Sequence, residues 1–163
     1  LGTFELLKTG PLKANEIVAG KFVSVSIILL LAIIPTLVYV FTIHTLSITG
    51  NIDNGAVAGS YIGLLLLGLT FASIGICCSS FTSNAVVAFL SSAFACVLLY
   101  FGFSALSKIP AFSGNADYYI EMIGIDFHYR NMSRGVVDSR DVVYFLSCIC
   151  LMLFITKKNM DNR

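Results

Sequence analysis

Two histidines, His44 and His128, and five cysteines, Cys77, Cys78, Cys96, Cys148 and Cys150, are the residues of this chain best suited to metal binding. Their spacing does not suit a tetrahedral site. The histidines belong to separate connecting segments, and Cys148 and Cys150, two apart on a helix, project to nearly opposite sides. All five cysteines lie in or beside apolar runs, where the thiol packs as a small hydrophobe. Ser91 and Ser147 are hydroxyls in apolar surroundings with no adjacent His, Lys or Asp to accept their proton, so a serine nucleophile would lack its base. No G-x-x-x-x-G-K-[ST] loop occurs, which excludes nucleotide binding through that motif. Of the nine carboxylates, two groups stand out. Glu5 and Glu16 lie near the start of the chain, and Asp138-Ser139-Arg140-Asp141 precedes the last apolar run. Asp138, Ser139 and Asp141 have the box-like spacing of a helix cap, with an acid three residues after the capping one; substrate contact is the alternative role.

The elements that must position these groups are unusually apolar. Hydrophobic residues are 57% of the 163 positions and charged residues 12%, whereas soluble domains carry about 25% charge. A water-soluble fold of this size could not hide that much apolar surface. The net charge of +1 offers no attraction for nucleic acid. From Phe22 to Ile52 there is no charge, and Phe22 to Ile43 alone makes a helix of about 33 Å, enough to cross a hydrocarbon core of about 30 Å. Pro35 inside it predicts a kink, since membrane helices tolerate proline where neighbours satisfy the freed carbonyl. Between Asp53 and Lys108 lie 54 uncharged residues, the right length for two spans, with Ser79 to Asn84 as the turn. The second and third spans are expected over Val57 to Cys78 and Ala85 to Leu106. The run Val142 to Thr156 reaches spanning length only when extended back to Ser139, which makes Asp138 its N-cap. The interior of the four spans reads as free of ionisable groups, which speaks against an ion-coupled carrier.

Small residues recur on single helical faces, Gly68, Ala72 and Gly75 in the second span and Ala88, Ser92 and Ala95 in the third. Such stripes let helix backbones approach closely in lipid. With four spans both ends share one side. Lys8, Lys13, Lys21, Lys157, Lys158 and Arg163 flank that side, against Lys108, Arg130, Arg134 and Arg140 on the other, which favours cytoplasmic ends. The segment from Lys108 to Asp141 should be structured. Ile120, Ile123 and Phe127 share a helical face, with Asp117, Glu121 and His128 elsewhere; Tyr118, Tyr119 and Tyr129 suit the headgroup level, and Arg134-Gly135 reads as a helix end. An external amphipathic helix or re-entrant hairpin is expected there. The fold class is therefore an all-α integral membrane protein, a polytopic bundle of four transmembrane helices with an external helical segment. Its expected divisions are 1–21 (cytoplasmic), 22–107 (three spans), 108–138 (external interfacial helices) and 139–163 (last span and cytoplasmic tail).

Before the first span, Phe4, Leu6 and Leu7 beside Glu5 and Lys8 form a short amphipathic turn, broken at Thr9-Gly10-Pro11, and a second helix starts near Lys13 and runs into the membrane. Gly2-Thr3-Phe4-Glu5-Leu6-Leu7, Pro11-Leu12 and Glu16-Ile17-Val18-Ala19-Gly20-Lys21-Phe22 together resemble the G-T-L-E-L-L…P-[LV]…I-[VL]-x-G-K-[FL] signature of ABC-2 type transporter permeases. The stretches Pro35 to Val40, Gly59 to Leu64 and Ser133 to Phe145 resemble the gliding-motility-associated permease subunit among them. Lys13-Ala14-Asn15 departs from the pattern, where relatives show a serine cap and an aromatic.

The resemblance implies six spans, of which this chain would hold the last four. It implies a bacterial inner-membrane permease that pairs with a second permease and is driven by a separate ABC ATPase. That partner would bind the ATP and Mg, with no cofactor in this chain. It also implies that residues 1–21 couple to the ATPase, through Phe4, Glu5, Leu7, Pro11 and Glu16, and that 108–141 are external re-entrant helices. An ion-coupled carrier or channel subunit is the rival reading, and a membrane-embedded enzyme a more distant one.

Overall fold

The computed structural model describes residues 14–46, 53–108 and 115–161, so Phe4, Glu5, Leu7 and Pro11 lie outside the described residues. Every regular element among them is helical: α1 (Ala14–Ile33), a 3-10 turn (Ile34–Thr36), α2 (Leu37–Leu46), α3 (Asn54–Phe81), α4 (Ala85–Ser107), α5 (Asn115–Ile123), α6 (Ile125–Ser133) and α7 (Ser139–Asp161). Four stretches are long and apolar enough to cross a membrane: α1 through α2, 33 residues; α3, 28; α4, 23; and α7, 23. The chain is an all-α polytopic membrane protein.

Local chemistry sets the boundaries. The 3-10 turn falls at Pro35, which has no N–H to continue the α-helical ladder. Side-chain hydroxyls occupy carbonyls around it: Thr36 Oγ1 donates to the Ile33 carbonyl at 2.6 Å and Tyr61 Oη to the Thr36 carbonyl at 3.0 Å. Both bonds satisfy carbonyls next to the break, Ile33 and Thr36, where the helical ladder changes from α to 3-10. Asp53 caps α3, its Oδ1 accepting from the Gly55 and Ala56 N–H groups at 2.9 and 3.1 Å. Helix α3 thus begins three residues before the Val57 expected from apolarity. Asn84 caps α4, accepting from the Val86 N–H at 2.9 Å, so the polar stretch after Phe81 is a turn that ends in a cap. Helix α1 starts at Ala14 and runs unbroken through Lys21, and α7 continues past Thr156 to Asp161.

Helix α3 is the centre, touching α1, α4, α6 and α7. Its buried residues, Gly59, Gly63, Leu66, Leu67, Thr70, Ser73, Ile74 and Cys77, recur at intervals of three and four, one continuous stripe. The fully buried Thr70 and Ser73 return their hydroxyls to the Leu66 and Thr70 carbonyls at 2.8 and 2.7 Å, so neither polar group is left unpaired. Leu66, Leu67, Ile125, Met132 and Phe145 form the main core. Tyr61 meets Thr36, Gly68 faces Leu29 and Phe71 meets Tyr100, which makes α1 and α4 antiparallel to α3. Asn159 Nδ2 donates to the Ser80 carbonyl at 2.7 Å, which makes α7 parallel to it. Ala14 and Asp161 consequently share one end of the bundle, and the α5–α6 hairpin occupies the other.

The outward faces are apolar. Phe89, Phe94, Phe101, Val38, Phe41 and Phe154 are all more than half exposed, as expected of side chains that meet lipid or another membrane helix.

Candidate functional site

The expected cap group divides. Asp138 Oδ1 accepts from the Arg140 N–H at 3.0 Å and from the Ser139 hydroxyl at 3.4 Å, and the Asp138 carbonyl takes the Asp141 and Val142 N–H groups at 3.1 and 3.3 Å. Asp141 is a correction. Its side chain does not reach back to the Asp138 backbone as a capping box requires; it turns inward and is 4% exposed, with Oδ1 2.6 Å from His128 Nδ1. The reason is tertiary: α6 packs across the first turn of α7 and presents the imidazole there. His128, expected on a polar face of a connecting segment, is likewise buried, at 5% exposure.

Around this pair the last span and the hairpin interlock. Helix α5 ends at Ile123, leaving carbonyls without helical partners. The Glu121 carbonyl accepts from the Gly124 N–H at 2.9 Å, the Met122 carbonyl from His128 Nε2–H at 2.9 Å, and the Ile123 carbonyl from the Tyr144 hydroxyl. The Tyr144 ring also stacks on the imidazole, centroids 3.9 Å apart and planes 22° from parallel. Asp141 Oδ2 is buried with no hydrogen-bond donor. On the outer side Arg130 spans Glu121 at 2.6 Å and Asp126 at 2.9 Å, tying α6 to α5. A cleft of about 330 Å³ opens beside the pair, lined among others by Tyr118, Met122, Phe127, His128 and Asp141, with Arg134 and Arg140 on its walls. Tyr118 and Tyr119 are exposed next to it, as aromatic residues at a membrane–water boundary are.

Glycine lets the hairpin seat on α3. Gly135, at φ +87°, ends the turn after α6, as Arg134-Gly135 suggested. A Cβ there would lie 2.8 Å from the Ala56 backbone, and one on Gly59 would lie 2.7 Å from the Met132 carbonyl. Ser60 Oγ adds a hydrogen bond to the Ser133 carbonyl at 3.1 Å.

The small-residue stripes also divide. Gly68 abuts Leu29 of the first span, where a Cβ would come within 2.8 Å, and Ala72 is half-buried. At Gly75 no described atom outside its own helix lies within 4 Å of where its Cβ would stand, so among the described residues no helix makes a close approach there. The tightest glycine contacts of α3 are at Gly59, 2.7 Å from the Met132 carbonyl where α6 crosses, and at Gly68. Ala88, Ser92 and Ala95 are half-buried on the covered face of α4, the face that carries Leu99 into the core and Phe103 against Gly124. Glu16 is exposed in the first turn of α1, where a carboxylate complements the helix dipole.

Sequence reasoning missed the His128–Asp141 pair, although Asp141, in the first turn of α7, leaves the interior of the described spans free of Asp, Glu, Lys, Arg and His. The available signal was a carboxylate inside the first turn of a span, separated from a histidine by one glycine turn. Chemically the arrangement can hold a proton and brace helices; among the described residues no serine, threonine or cysteine is hydrogen-bonded to the imidazole.

No curated protein and no solved structure matches the chain. The model of the ABC-2 family transporter protein matches residues 1–128, which takes in the first three spans, the whole of α5 and α6 as far as His128. With most of its length matched and four membrane-crossing helices, this chain belongs to the ABC-2 transporter family as a membrane-spanning permease subunit.

Proposed function

We propose that this permease is moved by separate ATP-hydrolysing subunits that bind at the end of the bundle where Ala14 and Asp161 lie. The observation that carries the reading is the continuity of α1. One helix joins Ala14, Glu16 and Lys21 to Ile33, so a push on the segment before Ala14 tilts α1, the part of the first span before the Pro35 turn, as a rigid lever. ABC-2 permeases as a family work with an ABC ATPase and as permease dimers. ATP and Mg would be bound by that partner, with the exposed apolar faces of α4 and the first span left for lipid or the second permease.

In this reading the shared end of the bundle is cytoplasmic, the membrane is the bacterial inner membrane, and the α5–α6 hairpin is external. Phe4, Glu5, Leu7, Pro11 and Glu16 form the coupling surface: the apolar ridge supplies affinity and the charge fixes register. The motifs from Pro35, Gly59 and Ser133 support a permease of the gliding-motility kind; disrupting its reading frame should then abolish surface gliding. The rival, a carrier driven by an ion gradient, gains little from the buried Asp141, which stands in the first turn of α7 at one end of the bundle rather than midway along it.

Glu5→Lys tests the coupling. In vesicles reconstituted with the partner ATPase, the variant should insert and fold normally while transport and transport-stimulated ATP hydrolysis fall together. A variant that couples as well as the parent would leave the segment as a membrane anchor only.

A further inference from the structure

We propose that His128 and Asp141 are a proton-binding site, and that the single proton they share docks the α5–α6 hairpin on the first turn of the last span. The geometry carries this without reference to what the permease transports. The Met122 carbonyl can only accept, so the nitrogen 2.9 Å from it, Nε2, bears a hydrogen. A neutral imidazole would then present a bare lone pair at Nδ1, 2.6 Å from a carboxylate oxygen. That contact is attractive only when a proton lies between the two atoms. The pair therefore holds one proton besides the Nε2 hydrogen, either as imidazolium and carboxylate or as imidazole and carboxylic acid. Both forms are neutral overall. The form without it would bury a net negative charge beside Asp141 Oδ2, which already lacks a donor.

The other groups around the pair do not substitute for that proton. Hairpin residues Glu121, Asp126 and Arg130 pair with one another. Arg134, before Gly135, and Arg140, on α7, are exposed at the cleft, and neither forms an ion pair with Asp141. Asp138 takes the Arg140 N–H and the Ser139 hydroxyl. Other titratable groups near the pair among the described residues are Tyr118 of α5 and Tyr144 of α7, with Cys148 of α7 against Tyr144; on the adjoining helices Tyr61 of α3 and Tyr100 of α4 face Thr36 and Asp126. Tyr144 is committed to the Ile123 carbonyl and Tyr61 to the Thr36 carbonyl.

Loss of the shared proton breaks one of two contacts: Nδ1 loses Asp141, or Nε2 loses the carbonyl at the end of α5. The direction of the pH dependence follows from proton counting. In water an imidazolium in general gives up its proton near about pH 6.5 and a carboxylate gains one near about pH 4, and undocking exposes one of each to water. Between those values docked and undocked states bind the same number, so docking is flat. Above about pH 6.5 the docked state holds one proton more, and the docked-to-undocked ratio falls by up to tenfold per pH unit.

The test is amide hydrogen exchange of residues 117–133 in the full chain, held in lipid nanodiscs, from pH 5 to 9 and corrected for the intrinsic pH dependence of exchange. Protection should be constant up to about pH 6.5 and then fall by up to tenfold per unit. Asp141→Asn should lose the fall above about pH 6.5, because its amide N–H donates to Nδ1 of a neutral ring while Nε2–H stays on Met122; its protection declines instead toward pH 5, where the undocked imidazole holds the extra proton. A flat parent profile, or a variant that falls in parallel with the parent, overturns the proposal. Should the variant fail to fold, nitrogen and carboxyl-carbon NMR of the parent at pH 7 decides. Two protonated ring nitrogens, or a protonated Asp141 carboxyl, support the site; a neutral His128 beside an ionised Asp141 overturns it.

Discussion

Gly135 and Gly75 are both glycines within or beside α-helices, and their surroundings assign them opposite sensitivities. Gly135 sits in the left-handed region at φ +87°, with the Ala56 backbone 2.8 Å from the Cβ direction. The conformation alone costs a side chain about 1–2 kcal/mol, and a backbone neighbour cannot swing away as a flexible side chain can. Gly135→Ala should therefore lower the thermal midpoint of the detergent-purified chain by several degrees. Gly75→Ala meets nothing across the helix interface and removes glycine's entropic disadvantage in a helix, about 0.5–1 kcal/mol. It should leave the midpoint unchanged or raised. Equal losses in the two variants would mean that the hairpin does not seat on α3 as described.

At the scale of elements, α4 shows how a span can be stable with no fully buried residue. One face is half-covered and carries Ala88, Ser92 and Ala95, while Phe89, Phe94 and Phe101 face outward. Lipid is as apolar as leucine, so close packing rather than apolar burial holds such a helix in place. Ser92→Leu thickens the covered face and should cost about 1–3 kcal/mol by overpacking. Ser91→Leu, on the exposed side, should be neutral. The amount of monodisperse protein recovered after detergent extraction checks this; comparable recovery of both variants would leave the stripe without a packing role.

The whole molecule places Ala14 and Asp161 at one end of the bundle and the α5–α6 hairpin at the other. Cysteines introduced at Tyr119 and Asp161, in a background lacking the five native cysteines, should therefore react with a membrane-impermeant reagent from opposite sides. If Asp161→Cys is reached only from the cytoplasm, the proposed orientation stands. If both positions label from the same side, the four-span arrangement is wrong.

What the sequence by itself determined is the membrane, the number of spans and the breaks at Pro35 and Gly135, while the end of α3 at Phe81 and the α5–α6 break at Gly124 were set by the fold. Charge-free run length against bilayer thickness, Pro35, the capping Asp138 and the turn at Gly135 are local properties of the chain, and local geometry answers to them directly. Tertiary structure alone decided which small residues meet another helix, Gly59 and Gly63 rather than Gly75, because periodicity names a face without naming its neighbour. It alone also brought His128 to Asp141. In the sequence one was a polar-face histidine and the other a cap residue; only the fold-back of α6 over the first turn of α7 removes both from water and makes each the other's partner.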